Sequence, residues 1–299
     1  MAANYWDSTQ ARFWTFTKDG LGEIREALSN TNRALVTKHP LPDPRLLSIY
    51  FQQQITKLAR RMNLRQQPIA TAQIYIRRFY TKVEIRRTNP YAIMTTAVYL
   101  ASKMEESPVH IRFVLGEAAR QWPELGFNDI SKIGECEFHM ISVLSARLII
   151  HHPYRTLSDL SFAFPLTTEE SALAHSIIND HYNTDLPLLY PPHIIAVTAI
   201  FLSVVLKPAQ SGLQAHAAAT SSSNLQVALQ QGLSAIGGTK SASSKITRLV
   251  EWLAESKIDM EAVIVTTQEL ISLYEIWESY NERLCRDAIS AFMKDSMNK

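Results

Sequence analysis

Shifted against itself by 102 positions, the 299-residue chain repeats. Ala72 falls on Ala174, Ile76 on Ile178, Tyr80 on Tyr182, Pro90 on Pro192, Ile93 on Ile195, Ala97 on Ala199 and Leu100 on Leu202. The offset holds without a gap across two candidate helices and the loop between them. Each matched position is a proline at a helix start or a small or apolar residue on one helix face, as two copies of one helical bundle require. A length of 299 residues suits two domains of the usual ~150 residues each.

Helical spacing runs through most of the chain. After Pro90 the residues Ile93, Ala97, Leu100 and Met104 recur at steps of three and four, predicting a helix over 90–106. Leu46, Leu47, Tyr50, Phe51, Ile55 and Leu58 form one amphipathic stretch upstream, and Ile69, Ala72, Tyr75, Ile76 and Phe79 form another, opened by Pro68. Ile130, Ile133, Ile141, Leu144 and Leu148 share a further face, with Asn128 or Asp129 as N-cap, and 109–122 fits a shorter helix. The first half therefore reads as five helices. In the second half, 194–206 reads as a buried core helix too short for a membrane span. Helical spacing resumes over 246–256 and 262–281. Between them, 207–245 is rich in Ala, Ser, Gln and Gly and reads as a disordered insertion, with a short helix near 225–233.

Composition narrows the classes. Nine glycines disfavour an all-β sandwich and a phosphate-cradling Rossmann fold, both of which need positive-φ turns. Two cysteines, Cys136 and Cys285, make neither a disulfide framework nor a four-ligand zinc site. With 30 Lys+Arg against 28 Asp+Glu, the whole chain is no electrostatic nucleic-acid binder. A charged fraction of 19% is lean, so part of the surface is expected to be covered by something else. The N-terminus lacks the basic and apolar regions of a signal peptide.

No hydrolase, metalloprotease or nucleotide-binding motif is present. His151-His152 read as a polar linker rather than metal ligands, and Cys136 as a small buried hydrophobe. In the Tyr75–Tyr80 segment the aromatics read as core and Arg77-Arg78 as its solvated flank. Glu137 is the informative residue: four positions from both Ile133 and Ile141, it lies inside an apolar stripe, where a carboxylate needs a cation or an interface. Lys103, near the C-terminal end of its helix, is the candidate partner.

Several blocks resemble one family. They are Asn4-Tyr-Trp6, Leu64-Arg-Gln-Gln-Pro-Ile-Ala-Thr-Ala72, Arg78-Phe-Tyr80, Leu100-Ala-Ser-Lys-Met-Glu-Glu106, Glu135-Cys-Glu-Phe138, His152-Pro-Tyr-Arg155, Asn179-Asp180, Thr184-Asp-Leu186, Leu189-Tyr-Pro-Pro192 and Tyr274-Glu-Ile-Trp277. In these residues the chain resembles the cyclins, specifically the cyclin C subfamily of the Mediator kinase module in its fungal form. The resemblance implies an all-α fold of two tandem five-helix cyclin boxes, 41–150 and 151–285, an N-terminal helix or arm over 1–40 and a C-terminal tail over 286–299. It implies a non-catalytic subunit without cofactor or metal that binds and activates a cyclin-dependent kinase in the nucleus. That subunit would work beside other large module subunits and the RNA polymerase II holoenzyme, with no direct nucleic-acid or membrane contact. The Lys and Glu that cyclins set against the kinase regulatory helix fall on Lys103 and Glu137, with Glu106 and Glu135 as neighbours, and the arm offers Trp6 and Phe13 as anchors. Asp185 and Tyr190 fall in the block associated with a groove between the boxes. The substrate-docking motif of cell-cycle cyclins is replaced by Leu47-Ser-Ile-Tyr-Phe51. The alternative reading is a nucleic-acid-binding double cyclin box of the general initiation factor type, which carries an N-terminal zinc ribbon; the first 40 residues here have no Cys.

Overall fold

The computed structural model describes residues 4–206 and 240–297, without the side chains of 240–246 and 296–297. Among the described residues there are fifteen α-helices and no strand. They divide into two compact units, residues 1–151 with 281–299, and residues 152–280.

In the first unit, α1 (Thr9–Phe13), α2 (Lys18–Thr31) and α3 (Arg33–Lys38) precede α4 (Pro44–Arg61), α5 (Gln66–Phe79), α6 (Pro90–Met104), α7 (Ile111–Gln121) and α8 (Ile130–Val143). The central helix is α6, packed against α4, α5, α7 and α8. Apolar or small residues cover nearly all its faces, from Tyr91 and Ile93 to Leu100 and Ala101, so only a fully surrounded position buries them. Asn89 caps it by accepting from the N–H groups of Tyr91 (3.0 Å) and Ala92 (3.2 Å), and Pro90 occupies the first turn, where its missing N–H is harmless.

The second unit repeats the plan with α9 (Pro153–Ala163), α10 (Thr168–His181), the short α11 (Leu186–Leu189), α12 (Pro192–Val205), α13 (Lys240–Glu255) and α14 (Met260–Glu278). Here α12 is central, packed against α9, α10, α13 and α14. Adding 102 to the bounds of α5 gives those of α10, and the same shift carries the start of α6 onto that of α12, so the repeat in the sequence is a repeat of helices. A capping box opens α10: Glu170 N–H donates to Thr167 Oγ1 at 3.2 Å and Thr167 N–H to Glu170 Oε2 at 2.8 Å.

Several expectations change. The helix expected over 90–106 stops at Met104 and the one through Leu148 stops at Val143, because Glu106 (φ 50°) and Ser145 (φ 55°) enter the left-handed region. At each end the next N–H reaches back five residues, Ser107 to Ser102 O and Ala146 to Ile141 O, both at 2.9 Å, and α4 ends in the same way at Asn63. These are Schellman closures made without glycine, which is how a chain with nine glycines ends its helices. Residues 282–297 form a helix, α15 (Glu282–Met297), grouped with the first unit, so the segment expected as a tail is instead folded. Cys285, Ile289, Phe292 and Met293 are buried, and Arg286 grips Glu124 through two hydrogen bonds of 2.7 and 2.9 Å. Helix α13 begins at Lys240, inside the expected insertion; the rest of that insertion and the helix near 225–233 lie outside the described residues.

The solvated flank expected at Arg77-Arg78 is also corrected. Arg78 is fully buried, its guanidinium 4.9 Å from the centre of the Trp14 ring and donating to Arg147 O at 3.3 Å. The aromatic face of Trp14 offers negative potential in place of water.

Candidate functional site

Glu137 lies on the core-facing side of α8, between buried Ile133 and Met140, and Lys103 is the penultimate residue of α6. Lys103 Nζ forms an ion pair with Glu137 Oε1, their side chains 38% and 15% exposed, so the carboxylate in the apolar stripe has its cation. The ammonium also stands 4.5 Å from the centre of the Tyr99 ring. Glu105, which caps α6, is anchored from α5, where Thr71 Oγ1 donates to one carboxylate oxygen at 2.5 Å and Gln67 Nε2 to the other at 2.6 Å. Lys103 thus projects from a helix end held at its last turn.

The neighbours behave differently. Glu106 and Glu135 are exposed, and Glu135 pairs with Lys132 one turn earlier on α8 at 3.0 Å. Phe138, next to Glu137 on the outer side of α8, is 79% exposed. The thiol of Cys136 is half-buried and its pKa is raised by that burial, so it is a poor nucleophile. Among the described residues no group of three His, Cys, Asp or Glu could hold a metal ion, and no helix is long and apolar enough to cross a membrane. The Lys103–Glu137 pair is therefore neutralised at the end of α6, and Phe138, on the outer side of α8 and not the core-facing side that carries Glu137, is an uncovered aromatic.

In the arm, Trp6 is 63% and Phe13 47% exposed, while Trp14 is buried. Trp14 is the aromatic that fastens the arm, and the sequence reading missed it. Lys82 Nζ lies 4.8 Å from its ring centre, Gln10 accepts from His151 N–H at 2.7 Å, and the Tyr5 ring meets the His151 ring edge-on at 5.8 Å. Phe13 lies beneath the Arg147 guanidinium, 3.4 Å from ring centre to Cζ. For Arg78 the signal was present, since it follows Tyr75 by three and Thr71 by seven, on their helix face.

In the second unit, Asp185 and Tyr190 flank the two ends of α11. The Tyr190 pKa is raised, by burial first and then by Asp259, Glu261 and Glu269. Nearby in sequence, Asp180 accepts from Tyr274 OH at 2.9 Å, and burial pushes its carboxyl up to about 7.

Comparison with known proteins gives the family of the chain. Residues 24–149 match the cyclin N-terminal domain family. The chain is 55% identical to a protein of Aspergillus oryzae named RNA polymerase II holoenzyme cyclin-like subunit, over 98% of each chain. This chain belongs to the cyclin family. A Neurospora crassa protein of the same name is 46% identical to this cyclin, again over 98% of both. Two solved structures share the fold. One is a chain of the CAK complex from Chaetomium thermophilum (TM-score 0.62, 18% identity, 97% of this cyclin and 87% of that chain). The other is a chain of the yeast TFIIK complex (TM-score 0.59, 19% identity, 90% of this cyclin and all of that chain). As a cyclin it is a non-catalytic regulatory subunit.

Proposed function

We propose that this cyclin binds and activates a cyclin-dependent kinase of the Mediator kinase module, and so regulates RNA polymerase II transcription through phosphorylation of the polymerase C-terminal tail and of transcription factors. The observation that carries the reading is 55% and 46% identity, over 98% of each chain, with proteins named RNA polymerase II holoenzyme cyclin-like subunits. The proposed docking face comprises Lys103 and Glu137 with Glu106 and Glu135, bordered by the arm of residues 1–40 with Trp6 and Phe13. Asp185 and Tyr190 are proposed as a second docking point, for the other large module subunits, and the working compartment as the nucleus.

Activation needs no chemistry from the cyclin. A kinase is active when the Glu of its regulatory helix pairs with the phosphate-binding Lys, and a rigid apolar face with a few held charges stabilises that position of the helix. The shift in population is limited by how much better the cyclin binds the active conformation.

The test is recovery of partners from nuclear extract with the wild-type chain and with Lys103→Glu/Glu137→Arg. The wild type should bring down a cyclin-dependent kinase with very large module proteins, and the variant should lose the kinase while keeping its helical circular dichroism. Normal kinase recovery by the variant would move the docking face elsewhere, and tight, salt-dependent promoter binding by the purified chain would favour the initiation-factor reading.

A further inference from the structure

The two units carry opposite charge. Residues 1–151 and 281–299 hold 24 Lys+Arg against 16 Asp+Glu, whereas residues 152–280 hold 6 against 12. Near neutrality of the whole chain therefore hides a basic first unit, and inside it one cluster has no acid. Arg78, Lys82 and Arg147 gather beneath the arm. Arg78 lies over the Trp14 ring and donates to Arg147 O, Lys82 Nζ lies over the same ring and donates to Val143 O at 2.9 Å and Ser145 Oγ at 3.4 Å, and Arg147 covers Phe13.

Ring faces, carbonyl oxygens and the Ser145 hydroxyl hold these cations, and among the described residues no ion pair joins any of the three to a carboxylate. Arg78 is fully buried with Nε and Nη2 unpartnered, and burial pulls its pKa down only to about 9, so it remains a cation at neutral pH. The pKa of Lys82 is lowered, first by partial desolvation of its ammonium and then by Arg147. Three like charges packed together without a counter-charge repel one another, and an anion arriving there relieves all three at once.

We infer that Arg78, Lys82 and Arg147 form a carboxylate-recognition site that takes an acidic segment of the kinase, seated beside Phe13 of the arm. Lys82 is exposed and Arg147 half-buried, so these two meet the carboxylates, while Arg78 supplies field from below. Two reachable cations, an ammonium and a planar guanidinium that pairs a carboxylate through two parallel N–H bonds, match neighbouring carboxylates of an acidic segment. The partner's identity rests on the kinase-binding reading; the carboxylate chemistry does not.

The test titrates full-length cyclin with the kinase it recovers, from about 0.05 to about 0.5 M salt, using wild type, Lys82→Gln/Arg147→Gln and the charge-keeping Lys82→Arg/Arg147→Lys. The Gln variant should bind roughly tenfold or more weakly at low salt and within about twofold of wild type at high salt, with the charge-keeping variant close to wild type throughout. Wild-type affinity and salt dependence in the Gln variant would overturn the inference while leaving kinase binding intact. Loss of the wild-type advantage after phosphatase treatment of the kinase would mean that the ligand is a phosphoryl group, which also overturns it. A hexaglutamate peptide titrated onto the cyclin alone separates this inference from the kinase reading. Salt-dependent binding that the Gln variant lacks supports the site even if no kinase is recovered, and equal behaviour of the two chains refutes it.

Discussion

Lys103 at the end of α6 neutralises Glu137 on the core-facing side of α8, tying together two helices of the first unit that lie about thirty residues apart in sequence. Glu137 is the more buried partner, so removing the cation leaves a carboxylate in a poorly hydrated place. Lys103→Ala should destabilise the chain by about 1–2 kcal/mol in urea unfolding, below the 3–5 kcal/mol of a fully buried pair because Lys103 is partly hydrated. The exchange Lys103→Glu/Glu137→Lys should recover most of that loss. If kinase recovery stays low in the exchanged chain, the two charges are read individually by the partner.

Glu106 occupies a left-handed position that glycine adopts without strain. Glu106→Gly should therefore raise stability by about 0.5–1 kcal/mol, seen as a higher urea midpoint at an unchanged slope. Glu106→Ala, which keeps a Cβ, should give no such gain. A destabilised Gly variant would show that the Glu106 side chain contributes contacts beyond the helix end.

Trp14 and Trp6 should part company. Trp14 is buried under two cations, so Trp14→Ala should cost about 3–5 kcal/mol and loosen the arm, measurable as faster proteolysis of residues 1–40. Trp6→Ala should leave stability within about 0.5 kcal/mol, because Trp6 is mostly exposed. Its effect is expected in kinase affinity, as a drop of about 1 kcal/mol or more.

Asp180 carries a pH signature. Its carboxyl is raised to about 7 in the folded chain, against about 3.9 in an unfolded one, so between those values the folded state holds the extra proton. The associated stability is full below about pH 4 and is lost as pH rises toward 7. Asp180→Asn, which still accepts from Tyr274, should flatten the fall in stability between pH 4 and 7 and unfold at higher urea than wild type at pH 7.5. Parallel pH profiles for the two chains would contradict the buried, protonated assignment.

Helix α15 should prove integral to the first unit. Removing residues 282–299 uncovers Leu46 O, strips Glu124 of Arg286 and takes away the buried Cys285, Ile289, Phe292 and Met293, so that chain should unfold at markedly lower urea. Arg286→Ala alone should cost about 1–2 kcal/mol, as expected for a charge-assisted, partly exposed pair.

The helices were legible because their signals are local: Asn89-Pro90 opens α6, the all-round apolar run demands its burial, and the 102-residue repeat announces a second copy. Even the oddity of Glu137 could be read, since helical spacing places it among Ile133 and Ile141. Helix ends were less legible, because Glu106 and Ser145 take a backbone conformation their residue types do not advertise. Spacing put Arg78 on the buried face of α5, but burying a guanidinium is costly until something replaces its water. That replacement is Trp14, brought from 64 positions earlier, with a carbonyl from 69 positions later. Periodicity along one helix determined which faces turn inward, whereas the partners that make buried charges tolerable came from distant segments and were settled only when the arm, α5, α6 and α8 packed together.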